Sequence, residues 1–426
     1  MSIELGLSRI SKLLSHAGSP HNLLNCLHVA GTNGKGSVCS YLASALQCST
    51  TGGTPVRVGK FTSPHLIHVT DSITINNIPI SLAEFSRIRT CLEATNANHR
   101  LKCTEFELLA CTAFQYFHES KCNWCVVEVG LGGRLDATNV IPGRNKICGI
   151  TKIGMDHEGF LGSTLGQIAA EKAGIITEDV PFVCVDGTNE PQVVHAIQQQ
   201  AQRTSTAIML TVPPSKSIVD TKSWGQIDLT SLPLNGEYQI SNVSVALGML
   251  DYLQISDRIS LTRDQLLQGI YSVKWPGRLQ LLDFHYEKDR SLPVLLDGAH
   301  NGSAAIELAK YLDQVRPNKD HPLTFVIAVT KGKKLSPLLA PILKNSDRVI
   351  VTKFGAVDRM PWIEAMDANE LAQEIRSYTK NVSIQPDLQQ VLPQLAEEKC
   401  DREVPVIICG SLYLCGQLLR KHNDNV

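Results

Sequence analysis

The run Gly31-Thr32-Asn33-Gly34-Lys35-Gly36-Ser37 narrows the fold of this chain more than any other feature. An apolar stretch ends just before it, at Ala30. After it Val38, Tyr41, Leu42, Ala45 and Leu46 recur at the spacing of one buried helix face. Strand, glycine loop and helix, in that order, make the opening unit of a parallel sheet and the context a phosphate-binding loop requires. Glycines let backbone N–H groups turn toward phosphate oxygens, and the helix N-terminus adds partial positive charge. Thr32, Asn33, Gly34 and Gly36 supply the cradle. Lys35 has the reach for the terminal phosphates, and the Ser37 hydroxyl is a donor of the kind Mg²⁺ takes. The spelling departs from the commoner loop, in which lysine directly precedes serine or threonine, because Gly36 stands between them.

The rest of the chain repeats the same alternation. "NCLHVAG", "VRVGKFT", "CVVEVGL", "KICGIT" and "PFVCVD" are apolar runs of strand length separated by helix-length segments. Near-continuous apolar strands between helices imply a parallel sheet covered on both faces. "TDSITINNIPIS" alternates instead and predicts a small edge hairpin. The alternation resumes with "VLLDGAH", "LTFVIAV", "RVIVTK" and "VPVIICGS". The polar stretch "HYEKDRSLP" is taken as the boundary. The expected architecture is α/β throughout: a P-loop parallel-sheet domain over 1–284 and a smaller Rossmann-like domain over 290–426 that closes the active site.

With 40 basic and 41 acidic residues the chain has no surplus of positive charge for nucleic acid. No apolar run reaches the length of a membrane span. "MSIELGLSRISKLL" reads as an amphipathic first helix rather than a secretory signal. The thirteen cysteines are odd in number and dispersed, as in reduced cytosolic proteins. A cytoplasmic location is expected, with mitochondrial presence left open, and a monomer. Cys122 and Cys125 form one C-x-x-C. No second pair or nearby His cluster completes a metal site, so Cys125 is read as a buried strand residue.

Several residues invite chemistry. Glu128 lies inside the apolar "VVEVG", where an unpaired carboxylate is costly; an Arg or Lys partner or a metal would satisfy it. Thr164 and Gln167 have capping-box spacing, which starts a helix there. Ile168 and Lys172 then share a face, placing Lys172 on a semi-buried surface. Asp297 and His300 end the strand "VLLDGAH" just before a helical pattern, where parallel folds place ligand groups.

"GTNGKGS", "GKFTSPHL", "VVEVGLGGRLDATNV", "ITKIGMDHEGFLGSTLGQIAAEKAGII", "WPGR" and "DGAHN" together resemble the folylpolyglutamate synthase and dihydrofolate synthase family of the Mur ligase superfamily, in family order. The match is closest to fungal dihydrofolate synthases. The resemblance implies Mg²⁺ ligation by Glu128, His157 and Ser37, although His157 on its own reads as a structural histidine. It implies a carbamylated Lys172 helping a second Mg²⁺; the plain alternative is pairing with phosphate or Glu171. It implies pterin contacts by Asp136, Thr104 and Phe106, against an ordinary core role for Phe106. Asn242 is expected at adenine, while Tyr238 stands where the family commonly has histidine. Arg278 is expected on phosphate, with Asp297 in the nucleotide site and His300 beside Lys35, Lys172 and Arg278 in catalysis.

The implied cofactors are ATP, two Mg²⁺ ions and a monovalent cation, and the implied substrates are dihydropteroate and L-glutamate. The implied reaction is ATP-driven amide ligation through an acyl phosphate. Two alternatives stand beside it: glutamate addition to tetrahydrofolate, and a P-loop NTPase coupled to a partner.

Overall fold

A computed structural model describes residues 5–212, 217–287, 290–318, 320–398 and 404–425. The chain divides into two units, the first comprising Met1–His65, Thr70–Pro233 and Glu237–Lys274, the second Leu66–Val69, Leu234–Gly236 and Trp275–Val426.

In chain order the first unit contributes β1 (Cys26–Ala30), a small ribbon of β2 (Thr50–Thr51) and β3 (Thr54–Pro55), then β4 (Val58–Phe61), β5 (Ile73–Ile75), β6 (Ile78–Pro79), β7 (Trp124–Glu128), β8 (Lys146–Ile150), β9 (Phe182–Val185) and β10 (Ala207–Leu210). A second ribbon pairs β11 (Ile218–Thr221) with β12 (Gly225–Asp228). The main sheet has the order β10-β9-β8-β1-β7-β4-β5-β6. It is parallel from β10 to β4, and β5 and β6 add the expected antiparallel hairpin at one edge.

Strands β1, β7 and β8 are buried along their whole length, as their apolar runs require. β1 lies between the other two, with His28 opposite Val127 on one side and Cys148 on the other. Because the three run parallel, the segments after Ala30, Glu128 and Ile150 all leave the sheet at one edge. That edge is where open parallel sheets hold ligands.

The helix Lys35–Gln47 follows the glycine loop. The sequence predicts one buried face, but every residue from Gly36 to Leu46 is buried. The helices Tyr238–Ile255 and Arg263–Tyr271 also pack against this helix, the first of them lying on β8 and β9 as well. Their approach is close: a Cβ on Gly269 would lie 2.5 Å from the Ala45 Cα. The first helix is Ser8–His16, with Ile10, Leu13 and Leu14 buried; residues 1–4 of the predicted segment lie outside the described residues.

The second unit contains β13 (Gln280–Glu287), β14 (Arg290–Leu296), β15 (Thr324–Ile327), β16 (Arg348–Val351), β17 (Asn381–Ile384) and β18 (Val406–Cys409), in the order β13-β14-β18-β15-β16-β17. All pairings are parallel except β13 with β14. Phe284, Leu296, Val326, Ile408 and Leu418 belong to its core.

The division therefore falls at Lys274, not in "HYEKDRSLP" between 284 and 290. The physical reason is the β13–β14 hairpin, which pairs Gln280 with Leu296 and buries Phe284 and Tyr286. The polar residues belong to the hairpin, and 288–289 lie outside the described residues. Among the described residues no helix is long and apolar enough to cross a membrane.

Candidate active site

The glycine loop is shaped by contacts the sequence does not advertise. Gly34 is left-handed, with φ of +88°, and caps the helix Lys35–Gln47 with no side-chain hydrogen bond. A Cβ at Gly34 would lie 2.1 Å from Asn242 Oδ1, and one at Gly31 would lie 1.8 Å from Thr151 Oγ1. Only glycine fits either position. The segment after β8 clamps the loop from beside it. Lys152 O accepts the N–H groups of Thr32 and Asn33 at 3.0 and 3.3 Å. Thr151 Oγ1 donates to Asn33 O at 2.6 Å, and Thr32 Oγ1 accepts from the Gly154 N–H at 3.1 Å. The uncapped helix N-terminus is thus held rigid, a ready site for an anion.

Three charged side chains gather at this loop. Lys35 Nζ donates to Thr32 O at 3.2 Å and stands 3.7 Å from Glu128 Oε1. Glu128 ends β7, is buried, and accepts the Ser63 N–H at 3.2 Å. Of the two partners the sequence allows Glu128, a lysine is therefore in place. Lys172 Nζ donates to Gly31 O at 2.8 Å. The predicted capping box of Thr164 and Gln167 is formed and starts its helix, Leu165–Ala173. Lys172 is more deeply placed than a semi-buried face suggests, at 5% exposure. Burial pushes its ammonium down to about 7, and the neighbouring Lys35 charge adds to the effect, while Asp156 and Asp136 oppose it.

Ser37 is buried in the first helical turn, where Gln239 Nε2 reaches its hydroxyl at 3.4 Å. Ser37 and Glu128 are hard oxygen donors of the type Mg²⁺ takes. His157 sits elsewhere in character. It is left-handed, with φ of +51°, 40% exposed in its side chain, and 3.7 Å from Asp156. Among the described residues no group of three or more His, Cys, Asp and Glu is placed to hold a metal. The donors present fit Mg²⁺ all the same, because that ion is commonly held by one or two carboxylates together with substrate phosphates and water.

The residues expected at the pterin divide in two. Phe106 is half-buried, forms a tilted pair with Phe61 at 6.0 Å, and would meet a Cβ on Gly130 at 2.3 Å. It therefore lies against the "GLGGRLDATN" loop as β7 ends. Thr104 instead caps the helix Glu105–Glu119 in a capping box with Glu107. Asp136 is turned into its own loop, accepting the N–H groups of Leu131 and Thr138 at 2.8 and 2.9 Å and the Thr138 hydroxyl. Burial raises its pKa against those hydrogen bonds. Asn242, expected at adenine, donates to Gln239 Oε1 at 2.9 Å and props Gly34.

In the second unit Asp297 is buried at the end of β14 and accepts the N–H groups of Leu279 and Ala299 at 2.8 and 2.9 Å. Burial raises its pKa and the Arg278 charge opposes this. Asp297 thus fixes the turn that carries Arg278. His300 Nδ1 lies 2.9 Å from Gly298 O. Sequence reading missed Gln239, Thr151 and Lys152. Thr151 and Lys152 follow an apolar strand directly, and Gln239 lies three residues before Asn242 on one helix face.

Residues 280–421 match the family model for dihydrofolate synthetase, C-terminal domain. The chain is 56% identical over 432 residues to dihydrofolate synthetase of Saccharomyces cerevisiae, covering 100% of each. It is 40% identical to the probable folylpolyglutamate synthase of the same yeast, covering 98% of this chain and 97% of that one. It is similar in structure to the bifunctional folylpolyglutamate synthase/dihydrofolate synthase from Yersinia pestis complexed with AMPPNP and Mn ion. There the TM-score is 0.77 at 26% identity, covering 99% of this chain and 94% of that one. End-to-end identity of this degree, on a glycine loop and two α/β units of this form, places the chain in the folylpolyglutamate synthase and dihydrofolate synthase family.

Proposed function

We infer that this chain is an ATP-dependent ligase that joins L-glutamate to 7,8-dihydropteroate, giving 7,8-dihydrofolate, ADP and phosphate. The observation that carries the reading is the Lys35–Glu128–Lys172 cluster on a clamped glycine loop, in a chain nearer in sequence to a yeast dihydrofolate synthetase than to the probable folylpolyglutamate synthase of that yeast.

In the first step an acceptor carboxylate oxygen attacks the γ-phosphorus of ATP, and ADP leaves. In the second the glutamate amine attacks the acyl carbon, loses a proton, and phosphate departs. Lys35 and the N–H groups of the helix start would hold the phosphates and offset charge that develops on them. Arg278, on the turn that Asp297 fixes, is assigned to the same task, with His300 beside it in the sequence block. Mg²⁺, held by Ser37 and Glu128 with His157 as a further candidate, would supply Lewis-acid charge at the phosphates. Phe106 offers a ring for stacking on the pterin. Asp136 and Thr104 are assigned the shape of the acceptor loop and of the helix that carries Phe106. Asn242 keeps an adenine contact as a proposal beside its bracing of Gly34.

Lys172 has the chemistry for carbamylation. A buried amine titrating near 7 is partly neutral at working pH; its nitrogen can add to CO₂ and release a proton, leaving a carbamate. The same reading gives the reaction two Mg²⁺ ions, a monovalent cation, a monomeric enzyme and a cytoplasmic setting.

The test offers purified enzyme, ATP, Mg²⁺ and glutamate with either dihydropteroate or tetrahydrofolate, and identifies the product by mass. Extension of dihydropteroate is expected. Extension of the folate alone would reassign the chain to folylpolyglutamate synthesis, and ATP turnover indifferent to both acceptors would favour a partner-coupled NTPase.

A further inference from the structure

β1 is an apolar strand except for His28, which is fully buried. Its Nε2 lies 2.8 Å from Thr138 Oγ1, 110 residues away in the chain. The Thr138 hydroxyl donates to Asp136 Oδ1, and a carboxylate already accepting backbone N–H groups is an acceptor. The threonine oxygen is then left to accept from His28, which fixes the ring proton on Nε2. Burial first, and then the Lys146 cation, push the imidazole well below its ordinary range, so the ring is neutral and has that one N–H to give.

The other ring nitrogen, Nδ1, has no hydrogen-bond partner among the described residues. An imidazole with one nitrogen unsatisfied is a poor choice for stability alone in an apolar strand. What it provides is a directed donor. A second anchor stands on the adjacent strand. Lys146, fully buried in β8, donates to Asn139 Oδ1 at 2.7 Å, and Asn139 Nδ2 bonds Arg134 O and Gly174 O at 3.1 and 3.0 Å. Two buried polar side chains from central strands thus tie down the loop that follows Gly130.

We propose that His28 is a positioning residue for the acceptor, acting through Thr138 and Asp136 to fix the loop against which Phe106 packs. The inference rests on the assignment of that loop to acceptor binding. It separates sharply from a merely structural role, because His28 lies three residues before Gly31 on the strand that delivers the ATP loop. Damage to β1 would reach ATP binding; loss of the Thr138 bond reaches the acceptor.

The test compares His28→Leu, His28→Gln and His28→Asn by the KM for acceptor, the KM for ATP and kcat. In His28→Leu the acceptor KM should rise roughly tenfold, with the ATP KM changed by no more than about twofold. Glutamine carries an amide N–H at nearly the reach of Nε2 and should restore most of the loss; asparagine, one methylene shorter, should not. A rise in the ATP KM equal to that for acceptor, no change in either, or indistinguishable glutamine and asparagine variants would overturn the proposal. Should His28→Leu fail to fold, the glutamine–asparagine comparison decides. Should wild-type enzyme extend a folate and not dihydropteroate, the substrate assignment fails, and the same comparison run with that folate still judges His28.

Discussion

The Lys35 ammonium stands 3.7 Å from the Glu128 carboxylate, with the lysine at the first turn of the loop helix and the glutamate at the end of β7. The pairing gives a buried carboxylate a cationic partner and keeps the cation directed at the loop. Lys35→Ala removes the cation that would meet the transferring phosphate, at a cost of about 3 kcal/mol or more of barrier. Turnover should fall by at least about a hundredfold while the far-UV circular dichroism is retained. A folded Lys35→Ala enzyme turning over near the wild-type rate would exclude Lys35 from phosphate handling.

Lys172 makes stability depend on pH in a defined direction. Its folded pKa is lowered to about 7, below the ordinary lysine value. Below that pH both states carry the proton and the full burial penalty is present. As pH rises toward the ordinary lysine range the unfolded chain holds more protons than the folded one, so stability increases. Urea midpoints in CO₂-free buffer should climb between pH about 7 and about 9, and Lys172→Met should flatten that climb. Parallel slopes in the two proteins would show that Lys172 does not titrate as a buried amine. In wild-type enzyme, added bicarbonate should restore activity lost in CO₂-free buffer.

The parts legible in the sequence were those written in local pattern. The glycine loop, the parallel strands, the edge hairpin at Ile73–Pro79 and the Thr164–Gln167 capping box all follow from spacing within a few residues. Depth was not legible. Periodicity gives the side of a helix that turns inward, and so it foretold one face of Lys35–Gln47 but not the other helices that pack against it. It also undervalued the burial of Lys172. The boundary was misplaced because a polar hairpin reads like a linker, although β13 alternates in burial along its length. Pairings across long separations, such as His28 with Thr138 or Asn242 with Gly34, leave no local trace.

Asp347 holds a buried ion pair whose loss the second unit should feel. It is fully buried and binds the Arg316 guanidinium through both oxygens at 2.7 and 3.0 Å. It also accepts the N–H groups of Leu323 and Lys344 at 2.9 and 2.8 Å. Asp347→Ala strands a buried guanidinium and should destabilise the unit by about 3–5 kcal/mol, seen as an early transition in urea. An unchanged midpoint would mean that water reaches Arg316.

Gly34 carries two separable demands, backbone handedness and space. Its φ of +88° is uncommon for L side chains, and a Cβ there would meet Asn242 Oδ1 at 2.1 Å. Gly34→Ala should therefore lower the melting temperature and raise the KM for ATP. The backbone strain contributes on the order of 1–3 kcal/mol. Asn242→Ala in the same chain removes the collision but not the strain. The double variant should regain part of the lost thermal stability relative to Gly34→Ala. Full recovery of the melting temperature would assign the whole stability loss to the collision. A Gly34→Ala enzyme with wild-type ATP KM would show that the left-handed turn is not what aims the loop at phosphate.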